Sequence, residues 1–307
     1  MAKHRHFLSL NDYSSVEIKL LLDSADELKK HPRRFKKALK GKILAMIFEK
    51  SSTRTRVSFE AGMQRLGGVA QFLSSRDIQL GRGEPISDTA AVLSRYVDGI
   101  MARTFAHQTV LDLARFGTVP VVNGLSDFSH PCQAMADALT IIEKFGAMKG
   151  LNVTYVGDGN NVAVSLMHIS VMLGANFSIA NPAGYDMPAV AQETGAKLAK
   201  ASGAKITYLR DAHEAVKGAQ IIYTDTWTSM GQEEETAKRE AIFPPYQINS
   251  QLVAEADRDV IVMHCLPAHR GEEITDEVLD GPNSVAFPQA GNRMHAQKAL
   301  LLWAMDS

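Results

Sequence analysis

Cysteine is scarce in this chain: it has Cys132 and Cys265, in unrelated contexts, with no CxxC pair and no zinc-type spacing. A disulfide framework is excluded and a reducing compartment is expected. A surplus of charge is also lacking. Lys+Arg 33 against Asp+Glu 34 leave a formal net charge of -1, so the chain has no general attraction for nucleic acid or an anionic membrane, and any anion site must be local. Long apolar runs are missing too. Apolar runs such as 43–48 are strand-sized, far below the ~20 residues of a membrane-spanning helix. The opening MAKHRHFLSLNDYSS turns polar without the apolar stretch and cleavage site of a secretory signal, and a cytoplasmic location is expected. Without short-period repeats or low-complexity segments, solenoids and disordered tails are set aside.

What the chain does have is an ordinary globular composition, 45% hydrophobic and 22% charged. At 307 residues it exceeds the size at which single cores usually stop growing, so two domains are expected. Short β-rich runs at 43–48, 69–73, 99–102 and 119–122 alternate with helical patterns, and the rhythm restarts at 151–157 and continues at 176–180, 204–209, 220–225 and 260–265. That alternation predicts an α/β protein with two domains, each a mainly parallel sheet flanked by helices. The boundary is placed at Gly146, giving domains 1–146 and 147–307, with a final amphipathic helix at 292–305. Ligands in such sheets bind outside the carboxyl ends of the strands, and the unusual residues cluster there.

The first constellation is Phe48-Glu-Lys-Ser-Ser-Thr-Arg-Thr-Arg56, which leaves a strand and enters a helix bearing Phe59, Met63 and Leu66. Free N–H groups and the dipole make a helix start attractive to phosphate. The hydroxyls of Ser52, Thr53 and Thr55 and the guanidinium of Arg54 complete an anion cradle. One hydroxyl suffices for an ordinary N-cap, so the surplus favours phosphate. Next come Arg103, at the end of a strand, and His130 and Gln133, three apart at a helix start with Pro131 early in it. They suit a polar carbonyl compound attached to phosphate, although a turn histidine and a surface glutamine would look the same. Cys132, between them, reads as a packed residue.

In the second half, Gly157-Asp-Gly-Asn-Asn161 has the outline of a dinucleotide turn, but Val162 stands at the third glycine position, and a nicotinamide cofactor gets little support. Asn160 and Asn161 there either bind a small carboxylate or cap the helix. In Asp225-Thr-Trp-Thr-Ser-Met-Gly231, the acid can pair with a substrate ammonium and Ser229 can hold a carboxylate; a surface loop with a capping Asp is the alternative. The charged run 232–240 reads as a solvated helix face or a mobile lid. His264-Cys-Leu-Pro267 ends another strand, with a helix start expected at Glu272 or Glu273. A thiol near an acid and a base can ionise below its reference value of ~8.5, while a buried inert cysteine is the commoner case. Arg293 opens the final helix, where a surface charge is the default.

In this order, Ser52-Thr-Arg-Thr55, His130-Pro-Cys-Gln133, Asp225-Thr-Trp-Thr-Ser-Met-Gly231 and His264-Cys-Leu-Pro267 resemble the ornithine carbamoyltransferases, over nearly the whole chain. The first two motifs are shared with the aspartate carbamoyltransferases. The resemblance implies that the first half binds carbamoyl phosphate and the second ornithine, with the last helix returning to the first half. Ser52, Thr53, Arg54 and Thr55 would hold phosphate, and Arg103, His130 and Gln133 the carbamoyl group. Leu266 would offer its backbone carbonyl to the carbamoyl NH2, and Arg293 would reach the carbonyl oxygen. Asn161, Asp225, Ser229 and Met230 would cradle ornithine, Asp225 on its α-ammonium. Cys265 would sit beside the side-chain amine as a polar or proton-accepting partner rather than a covalent nucleophile. No metal or organic cofactor is required. The resemblance also implies a homotrimer whose sites are completed by a neighbour's Gln79, from a glycine-bearing loop that otherwise reads as flexible surface; Ser87, Asp88 and Thr89 are expected to cap the helix after it. Carbamoyl transfer to another amine, or non-catalytic binding of carbamoyl phosphate, are the alternatives.

Overall fold

Ser14 opens α1 (Ser15–Lys30) with a capping box, its hydroxyl and Glu17 each serving the other's backbone N–H. The next apolar run becomes β1 (Ile43–Phe48), buried from its second residue onward, as expected of a strand covered on both faces. Then come α2 (Thr53–Arg65), β2 (Val69–Ser74), α3 (Ile86–Leu93), β3 (Gly99–Arg103), α4 (His107–Phe116), β4 (Val121–Leu125) and α5 (Pro131–Phe145). The four strands are parallel, in the order β2-β1-β3-β4. The computed structural model describes residues 5–78, 83–229 and 231–306.

The rhythm restarts with β5 (Asn152–Val156), α6 (Asn161–Met172), β6 (Asn176–Ala180), α7 (Ala189–Ser202), β7 (Ile206–Leu209), α8 (Ala212–Val216), β8 (Ile221–Thr224), α9 (Thr236–Ile242), α10 (Ser250–Ala254), β9 (Ile261–His264), α11 (Asp276–Leu279) and α12 (Ala286–Met305). Five parallel strands lie in the order β7-β6-β5-β8-β9. Backbone contacts divide the chain into two units, Met1–Leu139 with Asn292–Ser307, and Thr140–Gly291. Among the described residues no helix is long and apolar enough to cross a membrane.

From Asn292 onward α12 belongs to the first unit, where it buries Ala296, Ala299, Leu300 and Leu301. The buried Lys298 donates from Nζ to the carbonyl of Leu28 at 3.0 Å, satisfying an acceptor in the last turn of α1. Three local expectations need correcting. Glu272 and Glu273 lie in a turn, and the helix begins at Asp276. The final helix starts at Ala286, six residues early, and it accommodates Pro288 because that residue falls in the first turn, where no backbone donor is needed. Ser87, Asp88 and Thr89 lie inside α3 rather than before it, and its N-cap, Pro85, makes no side-chain cap bond.

Candidate active site

In the first unit the strand order reverses between β1 and β3, and ligands bind at such a point. Ser52 is the N-cap of α2; its Oγ accepts from the Thr55 N–H at 3.2 Å and donates to Thr55 Oγ1 at 3.1 Å. One hydroxyl therefore does the capping, and Thr53 and half-buried Arg54 occupy the first turn beyond it. Arg103 ends β3 and is 5% exposed. Arg293, where a surface charge was the default, is 3% exposed. Its Nη1 donates to Gln133 Oε1 at 2.6 Å and its Nη2 to Thr55 Oγ1 at 3.1 Å. Gln133 in turn donates from Nε2 to Asp137 Oδ1, one turn along α5, at 2.8 Å, which fixes which way its amide points.

His130 is buried, and burial, followed by the guanidiniums of Arg293 and Arg103, holds its pKa well below the ordinary histidine range. A neutral imidazole thus sits in the field of two buried cations, an arrangement that stabilises negative charge developing on a bound oxygen. Cys132 is a packed residue: burial pushes its thiol up to about 12, and Sγ donates to the Asn123 carbonyl at 3.2 Å.

In the second unit the reversal falls between β5 and β8. Gly157, with φ 138°, turns the chain at the end of β5. At Gly159 a Cβ would lie 2.4 Å from the Met187 nitrogen. The glycines thus answer to backbone conformation and to close backbone approach. Asn160 caps α6, accepting from the Val162 and Ala163 N–H groups at 2.9 and 3.1 Å, and donates from Nδ2 to Asp225 Oδ2 at 2.9 Å. The other Asp225 oxygen accepts from the Cys265 thiol at 2.9 Å. Asp225 is 8% exposed, and Asn161, Ser229 and Cys265 are half-buried around the same strand ends. Met230 and Gln79 lie outside the described residues.

Leu266 has φ 56° and precedes a cis peptide bond to Pro267. Its N–H donates to His264 Nδ1 at 2.9 Å. A backbone N–H can only donate, so Nδ1 is the accepting nitrogen and Nε2 carries the proton shared with Glu273 Oε1 at 3.0 Å. Glu273 Oε1 also accepts from the His269 N–H at 2.6 Å. Among the described residues two groups of side chains have metal-compatible spacing, Asp225 with His264 and Cys265, and His269 with Glu272 and Glu273. In the first, both ring nitrogens of His264 are already engaged.

Sequence patterns left several of these residues unmarked. Asp137 is detectable in principle, as a polar partner four residues after Gln133, flanked by Ala136 and Ala138 on the helix. Arg239 is hidden inside the charged run 232–240 yet is 4% exposed. Glu273 looked like a helix start.

Residues 5–143 match the family model for the carbamoyl-P binding domain of aspartate/ornithine carbamoyltransferase, and residues 149–304 match the model for its Asp/Orn binding domain. An ornithine carbamoyltransferase of Thermococcus kodakarensis is 54% identical over 303 residues, 98% of this chain and 96% of that protein. The structure of ornithine carbamoyltransferase from Pyrococcus furiosus superposes with a TM-score of 0.95 at 54% identity, covering 98% of this chain and 97% of that one. An acetylornithine transcarbamylase complexed with acetylcitrulline gives a TM-score of 0.89 at 30% identity, over 98% and 99% of the two chains.

Proposed function

The chain belongs to the aspartate/ornithine carbamoyltransferase family, and on that premise we propose that it transfers the carbamoyl group of carbamoyl phosphate to the side-chain amine of L-ornithine, giving citrulline and phosphate. The first unit takes carbamoyl phosphate: Ser52, Thr53, Arg54 and Thr55 on the phosphate, and Arg103, His130, Gln133 and Arg293 on the carbamoyl group. Neutral His130 serves as a hydrogen-bond donor rather than as an acid, since burial, and after it the guanidiniums of Arg293 and Arg103, disfavours its protonated form. The second unit takes ornithine with Asn161, Asp225, Ser229 and Met230, and Leu266 contributes its backbone carbonyl to the carbamoyl NH2. The neutral amine forms the new C–N bond, the bond from carbon to phosphate oxygen breaks, and the amine's surplus proton goes to the departing phosphate, with the Cys265 thiol as a polar partner of the amine. None of these steps requires a metal or organic cofactor.

The observation that carries the choice of amino acid is the Cys265–Asp225 bond at 2.9 Å. The strand ends here present a carboxylate, a thiol and amides. An aspartate side chain would bring a second carboxylate against Asp225, whereas ornithine brings amines. A homotrimer completed by a neighbour's Gln79, acting in the cytoplasm, is part of the same proposal; the two free cysteines fit a reducing compartment. Purified protein given carbamoyl phosphate and a panel of amines should make citrulline from ornithine in the presence of EDTA. Faster turnover of aspartate, putrescine or N-acetylornithine would overturn the substrate assignment.

A further inference from the structure

Arg239 is a buried cation that the proposed chemistry leaves unexplained. It lies on α9, within the run whose composition reads as a solvated face. Its Nη1 donates to Asp158 Oδ2 at 2.6 Å and to the Trp227 carbonyl at 2.6 Å, while Nε reaches Glu235 Oε2 at 3.0 Å. The guanidinium carbon stands 4.8 Å from the Tyr185 ring centroid and 5.9 Å from that of Phe243, and Trp227 lies against Phe243 with centroids 5.8 Å apart. One planar group is therefore fixed on two edges by hydrogen bonds and flanked by two rings.

Two of the three acceptors, Asp158 and the Trp227 carbonyl, lie on the two turns to which the amino-acid ligands are assigned. Asp158 is three residues before Asn161, in the turn after β5. Trp227 lies between Asp225 and Ser229, in the segment after β8. Those strands are paired through Val153–Ile221, Thr154–Ile222 and Tyr155–Tyr223, and the ladder stops before either turn begins. Beyond it the turns are tied by the Asn160–Asp225 bond and, further out, by Arg239. We infer that Arg239 is a positioning residue that sets the spacing between the two turns and so fixes the site for the α-ammonium and α-carboxylate of the amino-acid substrate. Lysine cannot replace it, because a single ammonium lacks the planar fork that also holds Glu235. This inference rests on the ornithine assignment above.

The test uses L-norvaline, which shares ornithine's α-carbon groups and three-carbon chain but lacks the side-chain amine. Arg239→Lys and Arg239→Gln should weaken norvaline binding and raise the ornithine KM by the same factor, at least about tenfold, as expected for loss of charge-assisted bonds. Carbamoyl phosphate affinity and kcat should change far less. Should an Arg239 variant not fold, Asp158→Asn, which keeps the shape of the acceptor, should still weaken norvaline binding. Where both fold, the double variant Arg239→Gln/Asp158→Asn should be no worse than Arg239→Gln, since both remove one interaction. Unchanged norvaline binding in the variants, additive losses in the double variant, or equal damage to carbamoyl phosphate binding would each overturn the inference while leaving the ornithine assignment standing. A wild-type protein that neither binds norvaline nor makes citrulline would overturn both.

Discussion

An imidazole buried beside two guanidiniums gives up its proton, and at His130 this ties stability to pH. Its pKa lies well below the unfolded value because burial, then Arg293 and Arg103, penalise the charged form; His107 and His168 are lowered as well, chiefly by burial. When a folded pKa is depressed, the unfolded chain takes up protons first as pH falls. The stability contribution is therefore complete above about pH 6.5 and is lost below it, toward the folded values. Urea unfolding between pH 7.5 and 5.5 should show stability falling. His130→Gln should remove about 1 kcal/mol of that fall by pH 5.5; an identical slope in the variant would show that His130 does not carry it. The ligand groups separate by substrate. Arg54→Ala should weaken carbamoyl phosphate by about tenfold or more through loss of a charge-assisted bond. Cys265→Ala should raise the ornithine KM and change the pH profile with carbamoyl phosphate binding nearly intact, as read by steady-state kinetics and calorimetry. Equal effects on both substrates would contradict the division between the two units. Residue types in these motifs were legible in the sequence. The burial of Arg293 was not, since an arginine opening a helix looks the same whether solvent or Gln133 lies beside it.

At the scale of elements, the strands were the readable part. Runs 43–48 and 176–180 became β1 and β6 with the same bounds, β1 because it is apolar and buried almost throughout and β6 because buried and half-buried residues alternate at its start. α9 was harder. Glu235 and Arg239, four apart, have the spacing of a surface ion pair, yet the guanidinium turns inward to Asp158. The turn after β5 has the outline of a nucleotide loop, already weakened by Val162, and its glycines have another reason. Gly159 is small because the chain at Asp186 and Met187 passes against it, with a Cβ meeting the Met187 nitrogen at 2.4 Å and the Asp186 carbonyl carbon at 2.6 Å. Gly159→Ala must push one backbone segment away from another. It should destabilise the protein by about 2 kcal/mol or more in urea unfolding and raise the ornithine KM, since Asn160 and Asn161 come directly after it. Stability within about 0.5 kcal/mol of wild type would mean that the turn is looser than its contacts indicate.

For the whole molecule, the proposed trimer makes a prediction that no single chain can. If Gln79 completes a neighbour's site, Gln79→Ala and Arg54→Ala proteins should each be nearly inactive. Dissociating them and reassembling an equal mixture should restore activity at about a quarter of the sites, those pairing an intact cradle with an intact loop. Mixed assemblies verified by mass but without activity would show that each subunit supplies its own complete site.

By itself the sequence determined the class of fold and the identity of the chemical groups. Alternating apolar runs and helical periods are local properties, and hydroxyls, guanidiniums and a thiol placed just after strands are recognisable wherever the chain goes. Which groups meet was decided by tertiary structure. Arg293 reaches Gln133 across 160 positions, Arg239 reaches Asp158 across 81, and Cys265 reaches Asp225 across 40. A buried charge needs partners, and where these arrive from distant parts of the chain the pairing has no signature in the residues on either side of it.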